Sequence, residues 1–312
     1  MRIKQVMIIG VAIALLMSMP IKALTKDWYV PGSFSTIQEA IDGSSVLNGD
    51  TIFVGPGSFA GALVTKSVEI RGIGGPTINT GPAHSSSGLI MGFRLLSGSE
   101  GATISHLRFE VDLAIMNGDA INNVTVTHCT FANTIQAISN WRGSSWNITH
   151  NEIIDLRTRN GGGIGILIGD YMGGTVTDNV VAHNKISGAL TSMGGEEGGY
   201  NGSGIVLYAD FRWGAAGATS ISFNRVVKNS VSVIDSSTLV DMVAFEMTDT
   251  RDDINAEQYP VIHDNSVGFN DFRGTIIQID LTPEDLYLYN DISRNLGENR
   301  GQGLHPSVFK PE

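Results

Sequence analysis

Four short aliphatic segments of the sequence each end in an aspartate, a residue type that can bind a cation or exchange a proton. These aspartates are Asp170, Asp210, Asp249 and Asp280. An arginine follows two of them at the same offset, in Asp210-Phe211-Arg212 and Asp249-Thr250-Arg251. If parallel strands stack these segments in register, Asp170, Asp210 and Asp249 form a column with carboxylates about 5 Å apart. Like charges at that spacing need a cation partner, which is either Arg212 with Arg251 or a Ca²⁺ ion.

Both ways of neutralising the column suit an acidic sugar as the ligand. Calcium can bridge protein and uronate carboxylates, whereas an arginine binds a carboxylate through two parallel hydrogen bonds. A structural interpretation also stands, because aspartate commonly forms the turn where a strand ends. Asparagine at Asp210 and Asp249 would separate the two, since a turn tolerates asparagine and a metal or catalytic site does not.

Aromatic residues in long insertions provide a second set of candidates. Tyr200, Tyr208 and Trp213 could stack on the C–H faces of sugar rings, or they could pack as ordinary loop residues. Glu246 is the only charged residue inside the four aliphatic segments. It could hydrogen-bond a sugar, or it could occupy an outward-facing strand position. Because long insertions in coiled folds line the binding face, these residues predict a groove that binds a polysaccharide.

A repeat with a spacing near 22 residues must position these side chains. Its clearest signal is a position that is asparagine in four of five repeats, called the ladder position below, followed two residues later by an apolar residue. The ladder position is occupied by Cys129, Asn151, Asn184, Asn229 and Asn270, and the apolar position by Phe131, Ile153, Ile186, Val231 and Phe272. A unit that tolerates insertions is typical of a coiled parallel sheet, in which equivalent residues stack about 4.8 Å apart. The sequence therefore predicts an asparagine ladder along the bends of a parallel β-helix.

Two residue types associated with this ladder could carry further chemistry. Cys129 stands in the ladder itself and is predicted to be a small buried residue instead of a reactive thiol. His128, His150 and His183 each precede the ladder position by one residue, so they should form a column of their own. Such a column could bind a metal, or it could be an exposed row of rings beside the bend.

The two ends of the chain differ from the repeat. Residues 1–23 combine a basic start, an apolar run of 14 residues and a small residue at Ala23. This pattern predicts a secretory signal peptide, with an uncleaved anchor as the alternative, and no stable membrane span after cleavage. Ser35-Thr36-Ile37-Gln38 has the form of a capping box and predicts a short helix from Ser35 to Ile41 that covers the end of the coil. We expect the β-helix over residues 24–295 and an irregular tail over 296–312.

Composition excludes several classes of function. The chain has a formal net charge of −11, no basic block and only 16 % charged residues, against a typical share of ~25 %. An acidic chain of this kind is a poor partner for nucleic acid or for an anionic membrane surface. Its single cysteine excludes an internal disulfide framework and any multi-cysteine metal site.

The opening of the chain resembles a known group of folds. The run Thr36-Ile37-Gln38-Glu39-Ala40-Ile41-Asp42, followed by Gly49-Asp50-Thr51-Ile52-Phe53-Val54 and Gly57-Ser58-Phe59, resembles secreted right-handed parallel β-helix proteins of the pectin-lyase-like superfamily, NosD-type proteins included. With the asparagine repeats, the resemblance covers residues 27–295. It implies an all-β fold, a right-handed parallel β-helix with a short N-terminal capping helix.

The resemblance also implies a chemistry, since polysaccharide lyases of this fold commonly use calcium and a basic residue. On that basis Asp170, Asp210 and Asp249 would hold Ca²⁺, which acidifies the proton beside a uronate carboxylate, and Arg212 or Arg251 would remove that proton. This chain, however, lacks the Gly-His-Gly motif that a polygalacturonase of the superfamily would carry.

The sequence thus predicts a secreted, periplasmic or cell-surface protein that binds an acidic polysaccharide or cell-surface glycan and could cleave it. The competing class is a non-catalytic structural or adhesion protein of the surface or envelope, favoured by the missing family motif and by ladders that need only structure. A NosD-like accessory role in copper handling is a distant third, because methionine and histidine are not concentrated together.

Overall fold

The chain forms a coil of short parallel strands. The computed structural model describes residues 25–159, 161–194, 200–211, 219–236, 240–250, 261–297 and 305–306. Hydrogen-bonded neighbours in the three long sheets are separated in sequence by one whole coil. The predicted parallel β-helix is therefore confirmed. Within the described ranges, no helix is long and apolar enough to span a membrane.

The strands form three long sheets and one short sheet. In chain order, sheet 1 contains Asp27–Val30, Thr51–Val54, Glu69–Gly72, Thr103–Ser105, Thr125–Thr127, Asn147–Thr149, Val180–Ala182, Arg225–Val227, Ser266–Gly268 and Asp291–Ser293. Sheet 2 contains Ser58–Ala60, Thr77–Thr80, Arg108–Phe109, Thr130–Thr134, Glu152–Thr158, Lys185–Ser192 and Ser230–Asp235. Sheet 3 contains Ala62–Val64, Met91–Leu95, Leu113–Asn117, Gln136–Trp141, Ile164–Asp170, Tyr200–Ala209, Asp241–Asp249 and Ile277–Thr282. His305–Pro306 pairs with the start of Tyr200–Ala209, and sheet 4 contains Thr175–Thr177, Ser220–Ser222 and Ile262–His263.

The core fills the inside of the coil with columns of like side chains. The ring of Phe109 stacks on that of Phe131 on the next coil with centroids 5.0 Å apart, and between columns Phe245 of sheet 3 stacks on Phe272 at 5.7 Å. The predicted apolar column continues through Ile186, which is the Cα partner of Val231 on the next coil. Because each coil places a large apolar residue at the same point, the core is continuous along the axis.

A helix closes the N-terminal end. It spans Ile37–Asp42, and its N-cap is Thr36, whose side chain accepts a hydrogen bond from the Glu39 amide. The predicted cap was one residue too early, because the pair that forms is Thr36 with Glu39 and not Ser35 with Gln38. The Gln38 amide instead exchanges hydrogen bonds with the backbone of Leu63, in the first strand of sheet 3. The helix thus satisfies polar groups at an edge strand, as expected of a cap.

The predicted asparagine ladder runs along the bend between sheets 1 and 2. The side-chain oxygen of Asn184 accepts from both the backbone and the side-chain nitrogen of Asn151, each at 3.0 Å. The same pattern recurs at Asn229, Asn270 and Asn295, and all but Asn295 are fully buried. Cys129 begins the ladder, with its backbone N–H donating to Asn151.

A second ladder lies at the other end of the sheet 1 strands. It consists of Asn179, Asn224, Asn265 and Asn290, linked by the same two hydrogen bonds per step. Each member precedes a member of the first ladder by five residues, so the sequence signal is Asn-x4-Asn. A repeat defined by one ladder position per coil does not reveal it.

Candidate functional site on sheet 3

The predicted aspartate column is not in register. Asp170 is the Cα partner of Ala209, and Ala209 is the partner of Asp249, so Asp210 lies one residue beyond the row. The reason is that core residues set the register, pairing Ile168 with Leu207. Two residues separate Leu207 from its aspartate, whereas only one separates Ile168 from Asp170. The prediction of three stacked carboxylates was therefore wrong.

The surroundings of Asp170 fit a structural role. Its carboxylate is fully buried, accepts hydrogen bonds from the Thr219 hydroxyl at 2.6 Å and the Gly173 amide at 2.9 Å, and lies 3.4 Å from the Arg142 guanidinium. Within the described parts of the chain, no three His, Cys, Asp or Glu side chains are placed to share a metal ion. Asp170, Asp210 and Asp249 therefore do not form the stacked column on which the predicted calcium site was based.

Of the predicted arginine and aromatic site residues, the structure describes the side chain of Tyr208 alone. Arg212, Arg251 and Trp213 lie outside the described residues, and of Tyr200 only the backbone is described. The Tyr208 side chain is fully buried on the outside of sheet 3, where its ring lies 6.2 Å from that of Trp141. Tyr208 is therefore part of a packed layer and offers no open face to a sugar.

Glu246 and Asp280 lie side by side on the outer face of sheet 3. Strand residues alternate between faces, and the neighbours of Glu246, Phe245 and Met247, belong to the core inside the coil. Val206 is the Cα partner of Glu246 on one side, and it belongs to a separate apolar cluster outside the coil. Asp280 is the partner of Glu246 on the other side, so the two acids share one row. Both are fully buried.

Polar neighbours surround the Glu246 carboxyl. The hydroxyl groups of Ser203 and Thr248 donate to its two oxygens, the latter at 2.5 Å, and the Asn201 amide donates at 3.2 Å. The pKa of Glu246 is raised to about 8, chiefly by burial and to a smaller extent by the nearby Asp280 charge, while the hydrogen bonds from Ser203, Thr248 and Asn201 lower it. At neutral pH this carboxyl therefore carries a proton that it can donate.

The pairing of these two acids is hidden in the sequence by their different settings. Asp280 resembles the aspartates that end strands, whereas Glu246 stands alone within its segment. The usable signal is an acid flanked by two core residues, Phe245-Glu246-Met247 on one coil and Ile279-Asp280-Leu281 on the next. Alignment on the flanking apolar residues would have placed the two acids together.

The histidine column is an exposed row of rings. His106, His128, His150 and His183 stack with centroids 5.2, 5.1 and 4.9 Å apart and interplanar angles of 9° or less. All four are exposed and have positive φ, as required at the tight bend before the ladder. Cys129 is buried, and burial raises the pKa of its thiol to about 12.

Fold and register together define this chain as a parallel β-helix protein with an acidic pair on the outside of one sheet. No protein-family model matches it, and no curated protein sequence matches it either. Its similarities are to solved structures.

The catalytic domain of a GH87 alpha-1,3-glucanase in complex with tetrasaccharides is 15 % identical over 84 % of this chain and 54 % of that one, with a TM-score of 0.33. A second such glucanase structure is 12 % identical over 94 % of this chain and 69 % of that one, with a TM-score of 0.34. The tailspike protein gp49 of Acinetobacter baumannii bacteriophage Fri1, a capsular polysaccharide depolymerase, is 11 % identical over 91 % and 63 %, with a TM-score of 0.29. The chain thus spans about half to two thirds of the length of these proteins. At identities and TM-scores this low, the three similarities support no conclusion about this chain.

Proposed function

We propose that the protein is an exported polysaccharide hydrolase, with Glu246 as the proton donor and Asp280 as the nucleophile. The observation that carries the proposal is the Glu246–Asp280 row on the outer face of sheet 3. A glycoside hydrolase needs two carboxyl groups, one of them protonated at working pH. The raised pKa of Glu246 meets that requirement.

The chemistry follows from these two side chains. Glu246 gives its proton to the glycosidic oxygen as the bond from that oxygen to the anomeric carbon breaks. The Asp280 carboxylate bonds to the anomeric carbon and forms a glycosyl ester. Glu246, now ionised, then takes a proton from water, whose oxygen attacks the anomeric carbon and releases Asp280. Both carboxyl groups return to their starting states.

The spacing of the pair favours retention of configuration at the anomeric carbon. Cα partners on neighbouring strands are about 4.8 Å apart. Carboxyl groups about 5–5.5 Å apart are characteristic of retaining enzymes, whereas inverting enzymes need roughly 6.5–9.5 Å to admit a water molecule. A sheet also holds both acids on rigid backbone, which keeps their separation fixed.

Burial sets a condition on this function. Both carboxyl groups are fully buried, so a glycan reaches them only when the groups that cover them move. Closure around a bound sugar would exclude water and strengthen the electrostatic interactions in the site. The calcium-assisted lyase reaction is not favoured, since its aspartates are out of register.

The test is hydrolysis of a panel of neutral and acidic polysaccharides by the full chain. We expect new reducing ends without unsaturated ends, and loss of product in Glu246→Gln and in Asp280→Asn. Glu152→Gln is the matched control, because Glu152 is a half-exposed acid of sheet 2 paired with Lys185. Unsaturated ends would instead establish a lyase, and activity that survives in both variants would overturn the assignment of the pair.

A non-catalytic surface protein is the second candidate, favoured by the same burial of Glu246 and Asp280. A stiff coil held by two asparagine ladders needs no chemistry. On this hypothesis no polysaccharide yields product, and Glu246→Gln changes only stability.

A further inference from the structure

An open groove crosses the outer face of sheet 1 at its C-terminal end, on a different sheet from the Glu246–Asp280 pair. Its volume is about 460 Å³. The floor consists of small side chains from neighbouring strands, Ala182, Val227, Ser266 and Gly268. A floor of small residues lets a ligand approach the sheet closely.

Positive charge is concentrated around this floor. Arg225, Lys228 and Arg294 line the groove and are exposed, and Asp291 is the only acid among the lining residues. None of these three cations forms an ion pair with another described residue, unlike the paired Arg71 and Lys185 elsewhere on the coil. In a chain of net charge −11, three uncompensated cations around one groove form a local site for an anion.

The cations lie along a row that the fold itself defines. Lys228, Phe269 and Arg294 occupy the bend position that His183 holds one coil earlier, and all four have positive φ. Successive coils are about 4.8 Å apart, so Lys228 and Arg294 lie about 10 Å from each other along the axis. The Phe269 ring between them is 57 % exposed, and Arg294 lies over it at 5.2 Å.

We propose that this groove binds a segment of an anionic polysaccharide along the axis of the coil. Arg225, Lys228 and Arg294 would bind carboxylate or sulfate groups, and the exposed edge of Phe269 would contact the apolar face of a sugar ring. The groove would hold the glycan whether or not the chain cleaves it, so binding there is independent of the proposed hydrolysis.

The features of the groove favour a polysaccharide over a nucleic acid. A nucleic-acid strand carries a phosphate every ~3.4 Å and needs many neutralising contacts. This groove has three fixed cations and one aromatic ring, within an acidic chain that would repel a dense polyanion. A glycan with widely spaced acidic groups and apolar sugar faces fits this arrangement better.

The test is affinity electrophoresis of the full chain through gels containing polygalacturonate, its neutral methyl ester or single-stranded DNA. The groove variant is Arg225→Gln with Lys228→Gln. Its matched control, Arg71→Gln with Lys185→Gln, removes one arginine and one lysine from ion pairs outside the groove.

We expect polygalacturonate to retard the wild type and the control equally, and added salt to weaken the retardation. The groove variant should lose about tenfold or more in affinity, which corresponds to ~1.4 kcal/mol. Equal retardation of the groove variant and the control would overturn the proposal, and so would equal retardation by the methyl ester. Stronger retardation by DNA than by polygalacturonate would assign the groove to nucleic acid instead.

Discussion

Replacing Glu246 by glutamine should make the protein more stable at alkaline pH. Glutamine has the shape of a protonated glutamate: its amide oxygen can accept from one of the two hydroxyls that contact Glu246, those of Ser203 and Thr248, and its NH2 group can donate to the oxygen of the other. It has no charge to bury. The comparison therefore isolates the cost of ionising one carboxyl outside the coil.

The magnitude follows from the two pKa values of Glu246. Its pKa is about 8 in the folded chain against an ordinary value of 4.5, and each unit of difference is worth ~1.4 kcal/mol. Below pH 4.5 both states carry the proton, so Glu246 adds no pH dependence. Between pH 4.5 and 8 the unfolded chain loses the proton and the folded chain keeps it, so stability falls as pH rises. Above pH 8 the accumulated cost is constant at about 5 kcal/mol.

Urea unfolding of the wild type and Glu246→Gln at several pH values from 4 to 9 measures this difference. The two free energies of unfolding should agree near pH 4. The variant should then gain about 1.4 kcal/mol per pH unit until pH 8. Glu152→Gln provides the baseline, since Glu152 is half-exposed and lies on another sheet.

Parallel pH profiles for the wild type and Glu246→Gln would refute this reasoning. They would mean that Glu246 is ionised in the fold at neutral pH, and a carboxylate without its proton could not serve as the general acid. The stability experiment thus constrains the proposed chemistry without any substrate.

Four further outcomes follow from the same structure. If Glu246 is the proton donor, kcat/KM for hydrolysis should fall as pH rises through about 8, where Glu246 loses its proton. If Asp280 is the nucleophile, NMR of the first product should detect retained anomeric configuration. Asn229→Ala removes the acceptor of two Asn184 hydrogen bonds and the donor to Val181. Chemical unfolding should therefore show that the free energy of unfolding falls by about 3 kcal/mol or more. Ser230→Ala, at the exposed neighbouring position, is the control and should not show this loss. The Cys129 thiol should react with a disulfide reagent only at the rate of unfolding, and rapid labelling of the folded chain would contradict its burial.

The coil could be predicted from the sequence because its repeat has a physical cause that acts locally. Each ladder asparagine, such as Asn184, occupies a bend where its amide satisfies backbone groups of two neighbouring coils. Bend, ladder and apolar residue therefore recur together and can be recognised without a structure. The second ladder at Asn179 and Asn224 follows the same logic, but only the Asn-x4-Asn spacing reveals it, because a repeat with one ladder position per coil does not.

The candidate site could not be predicted so directly. An acid at the end of a strand indicates a turn, but it does not indicate which residues on neighbouring coils lie opposite each other. Stacking of the core aliphatic residues sets the register, and a single extra residue after Leu207 moves Asp210 out of the row. Burial of Glu246 depends on what lies outside the coil, which no local pattern encodes. The groove on sheet 1 escapes prediction for a similar reason, since Lys228 and Arg294 are far apart in sequence and line one groove only when the coils stack.

The stability that the protein loses by burying the Glu246 carboxyl group bears on whether this residue has a chemical role. The same outward row holds Leu167 and Val206 on the two preceding coils, and both pack into the apolar layer there. A chain selected only for rigidity would gain by extending that layer, because an aliphatic residue at 246 would need no proton and no polar neighbours. Instead the next two coils carry Glu246 and Asp280, at a cost of about 5 kcal/mol above pH 8 for Glu246 alone. Stability given up at Glu246, beside a second buried acid and in a row that is otherwise aliphatic on the two preceding coils, is expected of a reactive site and is unexpected of a spacer.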